Sequence, residues 1–158
     1  MSIQTCLRCK GPCIHHTHEG VIIDRCSSCG GVWLDQGELE SIIETRVNTH
    51  SPSFVSETLK QGKAGLPADA QTDLIPCPKC TATMKVINYA YDSGVIINIC
   101  PSHGVWLDSK ELERIEAYRD HWKNEAVKRR AEWGALANSD TTEAVSDGGL
   151  LNFVKSLF

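Results

Sequence analysis

Cys6 and Cys9, Cys26 and Cys29, and Cys77 and Cys80 are pairs separated by two residues, and Cys100 stands at the same spacing from His103. Side chains spaced this way can turn toward one point, and thiolates with imidazole are the donors that a borderline-soft divalent cation takes. The first two pairs are joined by 16 residues and the last two by 19, so each set of four fills the positions of a tetrahedral structural zinc site. One set is all cysteine and the other is three cysteines with a histidine, and the expected cofactor is two structural Zn2+ ions per chain. Four protein ligands leave no position for water or substrate, which disfavours Lewis-acid catalysis. The competing readings of Cys-x-x-Cys are a thioredoxin-like redox pair or plain buried thiols. Neither explains why four ligands recur ahead of the same downstream residues.

That recurrence defines the elements that must position the ligands. Gly20-Val21-Ile22-Ile23-Asp24-Arg25-Cys26 is echoed 74 residues later by Gly94-Val95-Ile96-Ile97-Asn98-Ile99-Cys100. Val32-Trp33-Leu34-Asp35 returns at an offset of 73, Cys6 and Cys9 return at 71, and His103 takes the place of Cys29. Each copy reads as ligand pair, hairpin, ligand pair, Trp-Leu-Asp, helix. The hairpins follow from β-branched runs on either side of Gly20 and Gly94. Asp35 with Glu38, and Asp108 with Glu111, form Asp-x-x-Glu, a capping-box variant that starts a helix. The first helix is expected over about 36–47, with Leu39, Ile42, Ile43 and Val47 on one face. The second is expected over about 109–137, with Leu112, Ile115, Trp122, Ala126 and Trp133 at three- and four-residue steps. Trp33 and Trp106 are expected to cover the metal knuckles and meet the helices, the alternative being exposed recognition rings. Trp122 and Trp133 are expected to be buried, because together on the surface they would invite aggregation.

The fold class expected is a small metal-stabilised α+β protein: two zinc ribbons, each a β-hairpin with two ligand knuckles, each followed by an α-helix, the second long. The chain divides into ribbon 1 (1–48), a linker (49–74) broken by Pro and Gly with at most a turn of helix near Phe54 to Leu59, ribbon 2 (75–137), and a polar tail (138–158). The tail ends in Leu150-Leu151-Asn152-Phe153-Val154-Lys155-Ser156-Leu157-Phe158, where Leu150, Val154, Leu157 and Phe158 could share a helical face. A unit of about 45 residues buries too little apolar surface to offset its chain entropy, so a metal staple is energetically required. Structural zinc supplies roughly 10–16 kcal/mol of apparent binding free energy that is also folding free energy. A continuous second helix would extend about 42 Å, more than one ribbon can cover. Its outer half needs ribbon 1, the linker or a second copy of the chain, so a homodimer stays open.

Sixteen basic against 20 acidic residues give a formal charge of −4, and the thiolates of two filled sites carry it to about −7. Such a balance argues against broad phosphate binding. No basic segment followed by an apolar stretch opens the sequence and no apolar run approaches a membrane span, so a cytoplasmic protein without a membrane partner is expected. No Ser-His-Asp set, phosphate-cradling glycine loop or His-Glu-x-x-His helix is present, so no enzyme is expected. Cys13 corresponds to Met84 and reads as core packing, with a further ligand or reactive thiol as the alternative. His15, His16 and His18 could suggest another metal site, yet they alternate across a strand and read first as ordinary polar strand residues.

The stretch Cys26-Ser27-Ser28-Cys29-Gly30-Gly31-Val32-Trp33-Leu34-Asp35-Gln36-Gly37-Glu38-Leu39-Glu40 closely resembles the bacterial TFIIB-type zinc-ribbon family, and Cys100-Pro101-Ser102-His103-Gly104-Val105-Trp106-Leu107-Asp108 resembles its Cys-x-x-His variant. The resemblance covers about residues 4–45 and 75–118 and implies a zinc-ribbon fold with zinc held by the eight ligands above. The second copy departs at Ser109-Lys110, where the first has Gln36-Gly37, with the helix start intact. A ribbon by itself does not establish function. The expected function is a nonenzymatic protein-interaction adaptor, with the protein partner taken by the long helix or by residues 150–158; packing of that peptide on its own domain is the competing outcome. The alternative is a nucleic-acid-binding, transcription-associated regulator. Its basis is a helix 109–137 carrying seven basic residues (Lys110, Arg114, Arg119, Lys123, Lys128, Arg129, Arg130) against six acidic ones, a balance more often found on a solvated face.

Overall fold

The computed structural model describes residues 3–63 and 74–139. In chain order the elements are β1 (Cys13–His18), β2 (Val21–Cys26), β3 (Val32–Asp35), α1 (Glu38–Thr45), α2 (Pro52–Lys63), β4 (Lys85–Asn88), β5 (Ile96–Cys100), β6 (Gly104–Leu107) and α3 (Glu111–Ser139). The chain divides into two compact units, residues 1–122 and 123–158, and both ribbons lie in the first.

The two hairpins do not stand apart. They join into one six-stranded antiparallel sheet of order β1-β2-β3-β6-β5-β4. The seam is the β3–β6 pair, with Val32 opposite Leu107, Trp33 opposite Trp106 and Leu34 opposite Val105. Repeat equivalence exchanges Val32 with Val105 and Leu34 with Leu107, so the seam maps onto itself about the Trp33–Trp106 pair. Within one chain this is the self-complementary geometry that two identical subunits adopt.

Strand alternation then sorts side chains onto two faces. On one face Val32, Leu34, Val105 and Leu107 join Ile23, Val95 and Ile97 beneath Leu39, Ile42 and Ile43 of α1 and Leu112 and Ile115 of α3. On the other, Trp33 and Trp106 lie in one cluster with Ile3, Cys6, Cys26, Ile75, Cys77, Met84 and Cys100. Neither ribbon has a core of its own. Gly31 shows how closely the copies fit, since a Cβ there would run into the Trp106 ring.

Helix α1 is shorter than the sequence suggests. Arg46 leaves it in an extended conformation, which carries its guanidinium toward α3, and Val47 is exposed beyond the helix end. The segment read as a linker holds a 12-residue helix, α2, where only a turn was expected. Its Thr58 is buried, and Gly62 packs so closely on the β4–β5 turn that a Cβ would come 2.7 Å from the Ser93 carbonyl oxygen. The expected burial of Trp122 and Trp133 is not found: they are 41% and 72% exposed. Trp122 meets Tyr118 and His121 edge-on at the end of the first unit. Residues 140–158, including the apolar terminal peptide, lie outside the described residues.

Candidate metal centres

Each ligand pair sits on a tight turn built by the backbone. The Cys6 amide donates to the Gly11 carbonyl at 2.8 Å and the Cys77 amide to Ala82 at 2.8 Å. Lys10 and Thr81, equivalent in the two copies, take left-handed conformations at φ 61 and 62 to close these turns. The turns aim amides at sulfur: Arg8 and Cys9 donate to Cys6 Sγ, Ser28 and Cys29 to Cys26 Sγ, and Lys79 to Cys77 Sγ, each at 3.4 Å.

The structure brings Cys6, Cys9, Cys26 and Cys29 together, and separately Cys77, Cys80, Cys100 and His103, with the ligand atoms of each set within 4.8 Å of one another. Cys6 and Cys29 sulfurs are 3.5 Å apart, as are those of Cys9 and Cys26. Cys80 and Cys100 are separated by 3.8 Å, and His103 Nδ1 lies 3.4 Å from Cys100 Sγ and 3.7 Å from Cys77 Sγ. A tetrahedron with zinc–sulfur bonds of about 2.3 Å has edges of about 3.8 Å, slightly shorter where nitrogen replaces sulfur. The separations fit that cage, far exceed a disulfide bond, and all eight cysteines are free thiols. The two groups therefore fit two zinc ions.

The protonation balance agrees. Burial works against the Cys26 thiolate, but the Cys29 and Ser28 amides and the thiols of Cys9 and Cys29 overcome it and hold Cys26 at about 6. Cys100 is held at about 7, burial being outweighed by the Ser102 amide, His103 and the Cys77 and Cys80 thiols. Burial pushes Cys6 and Cys77 up, and burial with crowding by neighbouring thiols takes Cys29 to about 12. One thiol in each set ionises readily and others resist, so a divalent cation must supply the charge that stabilises a full set of thiolates. A bound zinc would cross-link two knuckles and neutralise their thiolates.

Two further groups repeat with the ligands, and the sequence reading missed them. Arg8 in the first knuckle reaches into the other copy, where Nε and Nη2 donate to Asp108 at 2.9 and 2.8 Å. Its counterpart Lys79 donates to Asp35 of the first copy at 2.5 Å. Asp35 also accepts from Trp33 Nε1 at 2.6 Å, and Asp108 from Trp106 Nε1 at 2.9 Å. These carboxylates therefore do not cap the helices as the Asp-x-x-Glu pattern suggests. Only the reciprocal half of the box forms, Glu38 and Glu111 each accepting the aspartate's backbone amide at 2.7 Å. Lys79 and Trp33 hold Asp35 below its ordinary range in spite of burial. The signal was available: Arg8 and Lys79 stand at the same offset of 71 as the cysteines beside them.

A second cluster gathers at the far side of the helix face. Buried Glu116 of α3 has His18 Nε2 at 2.6 Å, His50 Nε2 at 2.9 Å and Arg46 Nε at 3.7 Å. Arg46 Nη1 donates to Asp120 at 2.8 Å, and Asp120 also accepts the His50 amide at 2.9 Å. Burial opposes ionisation of Glu116, but the two imidazoles and Arg46 hold its carboxyl low, and the bond to Glu116 raises His18. His15 pairs with Asp24 at 3.0 Å and His16 is exposed. Cys13 packs against the tryptophan cluster, with its thiol pushed to about 12 by burial and the nearby thiols. Among the described residues neither Cys13 nor these histidines belong to a metal set.

A bracing seam around two closed four-ligand sites defines a tandem zinc-ribbon protein. The family model described as "Transcription factor zinc-finger" matches residues 5–45 and 76–118, more than half of the chain, and the chain belongs to that family. No curated protein and no solved structure matches it.

Proposed function

We propose that this protein is a nonenzymatic adaptor whose two zinc ribbons form a rigid base for binding another protein. The observation that carries the reading is the second unit: α3 continues to Ser139, and from Lys123 to Leu136 every residue is exposed apart from partly covered Glu125. Val127 and Trp133 are among them, at 68% and 72% exposure. A large aromatic side chain held on a helix is the kind of anchor that protein interfaces use. Closed metal coordination and an acidic balance support a binding role over catalysis and over broad phosphate binding. Thiolate sites suit a reducing compartment, and on that ground we place the protein in the cytoplasm; no helix among the described residues is long and apolar enough to cross a membrane.

A second reading has its own observation. Lys128, Arg129 and Arg130 are exposed on α3 near Trp133, a combination of charge and stacking surface that single-stranded nucleic acid can use. Recovery of cross-linked partners on the zinc-loaded full chain, with and without nuclease, separates the two. The adaptor reading expects a protein partner that survives nuclease and is lost on Trp133→Ala. Recovery that vanishes with nuclease, together with binding to DNA or RNA that strengthens as salt falls, replaces it with the second reading.

A further inference from the structure

The repeat provides an internal control for its own surface. In β1–β2 the helix-covered face carries His16, His18 and Arg25; the equivalent positions in β4–β5 are Ile87, Tyr89 and Ile99, as the matching registers show. The helix residues above them change in step. His18 pairs with Glu116, and at the equivalent positions Tyr89 and Ile43 lie in one apolar cluster. Arg25 Nη2 approaches Glu113 Oε1 at 4.0 Å, while the equivalent of Glu113 is Glu40 and the equivalent of Arg25 is Ile99. The carboxylate has been kept and the cation at its β-strand partner replaced; a cation stands instead across the strand pair, where Lys85 lies opposite Ile99 as Ile14 lies opposite Arg25 in the first copy. Among the described residues none forms an ion pair with Glu40.

This position is open. A groove of about 690 Å3 is lined by Glu40, Ile87, Tyr89, Tyr91, Ile99 and Val105, among others. Ile87 is 39% exposed and Tyr91 96%, the latter held in a left-handed conformation at φ 70 on the β4–β5 turn. Beside the groove runs β4, which ends the sheet; among the described residues no strand pairs with its outer edge. An unpaired edge offers a ladder of amides and carbonyls to another extended chain, and an adjacent apolar groove offers pockets for alternate side chains.

We propose that this groove docks an extended segment of a partner protein, which adds to the β4 edge and carries one Arg or Lys flanked in alternate positions by apolar residues. The cation takes the place on Glu40 that the Arg25 guanidinium holds on Glu113, and the apolar residues cover Ile87, Ile99 and Tyr91. The occupant is an extended strand because the unpaired β4 edge borders the groove, and it is basic because Glu40, which lines the groove, forms no ion pair among the described residues. This rests on the adaptor reading and assigns it a second surface, apart from the exposed part of α3.

The test is selection of a displayed library of random heptapeptides on the zinc-loaded full chain, followed by affinity measurement and amide chemical-shift mapping with a synthetic copy of the enriched sequence. The expected consensus has a basic residue with apolar residues two positions to either side, and its binding moves the β4 amides. Glu40→Arg should weaken binding by at least about tenfold, and a peptide with Glu in place of its basic residue should recover affinity for that variant. Ile87→Asp should abolish binding while zinc content stays unchanged. The proposal is overturned by no enrichment, by a consensus without a basic residue that ignores Glu40→Arg, or by sedimentation showing a dimer in which a second copy covers Ile87 and Tyr91. Partner recovery on Glu40→Arg keeps the two ideas apart: undiminished capture of a nuclease-resistant partner leaves the adaptor standing and removes the groove, whereas a wild-type chain that captures no protein removes the adaptor.

Discussion

If the two ribbons share their cores, destroying one metal site must weaken the other. Cys9 and Cys29 are the more accessible ligands of the first set, Cys9 exposed and Cys29 partly so, and Cys9→Ser with Cys29→Ser removes that site with little direct loss of packing. The first knuckles then lose their staple, and Trp106, fully buried beside Cys6, Cys26 and Trp33, loses the packing on one side of its ring. Truncating a buried tryptophan costs about 3–5 kcal/mol; forfeiting half of that is about 2 kcal/mol, or about 30-fold in the dissociation constant of the remaining site. Cobalt substitution supplies the assay, because a site of four thiolates and a site of three thiolates with one imidazole have distinct absorption bands, and the second can be titrated against a chelator in both proteins. Ribbons that behave as separate beads would leave the second site within about threefold of its original affinity. That result would refute the shared-core argument.

The cross-copy bridge should appear in a double-mutant cycle on Arg8→Ala and Asp108→Asn: the bidentate pair, discounted for its partial exposure, gives a coupling of about 0.5–1.5 kcal/mol in chemical denaturation, and strictly additive effects would contradict it. Gly31→Ala places a methyl group in the Trp106 ring and should lower stability by about 1–3 kcal/mol with a changed near-ultraviolet tryptophan signal; an unaltered melting temperature would show that the seam has slack. The Glu116 cluster predicts a pH signature in zinc-saturated protein. The contribution of His18, whose value is raised from 6.5, is complete below 6.5 and fades as pH climbs through the raised value. That of Glu116, lowered from 4.5, is complete above 4.5 and fades as pH falls. The stability gap between wild type and Glu116→Gln should therefore be widest between 4.5 and 6.5, and a gap that does not vary with pH would count against the cluster.

The ligand sets and the order of elements were legible because metal ligation and strand alternation leave short-range patterns: two-residue spacings, β-branched runs and a motif repeated at nearly constant offset. The sharing of one sheet was not, because pairing of β3 with β6 links residues 69 to 75 positions apart and no local pattern records it. The tryptophans illustrate the difference. Their position after the ligands is visible in sequence, but that each lies opposite the other follows only from the seam. The Asp-x-x-Glu pattern misled for a related reason, since Asp35 and Asp108 are claimed by Lys79 and Arg8 from the other copy, and a local capping rule cannot anticipate a stronger distant donor. Arg46, too, reads as part of the last turn of a helix over about 36–47 until Glu116 and Asp120 draw it away.

Duplication within a single chain removes the requirement that both halves remain alike. In a symmetric dimer any change to one surface is made twice, whereas here the seam can stay self-complementary as the outer strands diverge. Among the features kept between copies, the ligand sets, Trp33 and Trp106, Asp35 and Asp108, and the basic pair Arg8 and Lys79 serve the metal sites or the seam. Two exchanges away from the seam contrast with each other. His18 with Glu116 gives way to Tyr89 with Ile43, a compensated exchange of a polar pair for an apolar one. Arg25 gives way to Ile99, and the cation that appears across the strand pair, Lys85 in place of Ile14, forms no ion pair with Glu40 among the described residues. A compensated exchange preserves packing and requires no ligand; an uncompensated one leaves a charge on an apolar rim, where solvent alone satisfies it. The asymmetry between those two exchanges, within one fold and one chain, is why binding is to be sought on the β4 side of the sheet and not on its polar twin.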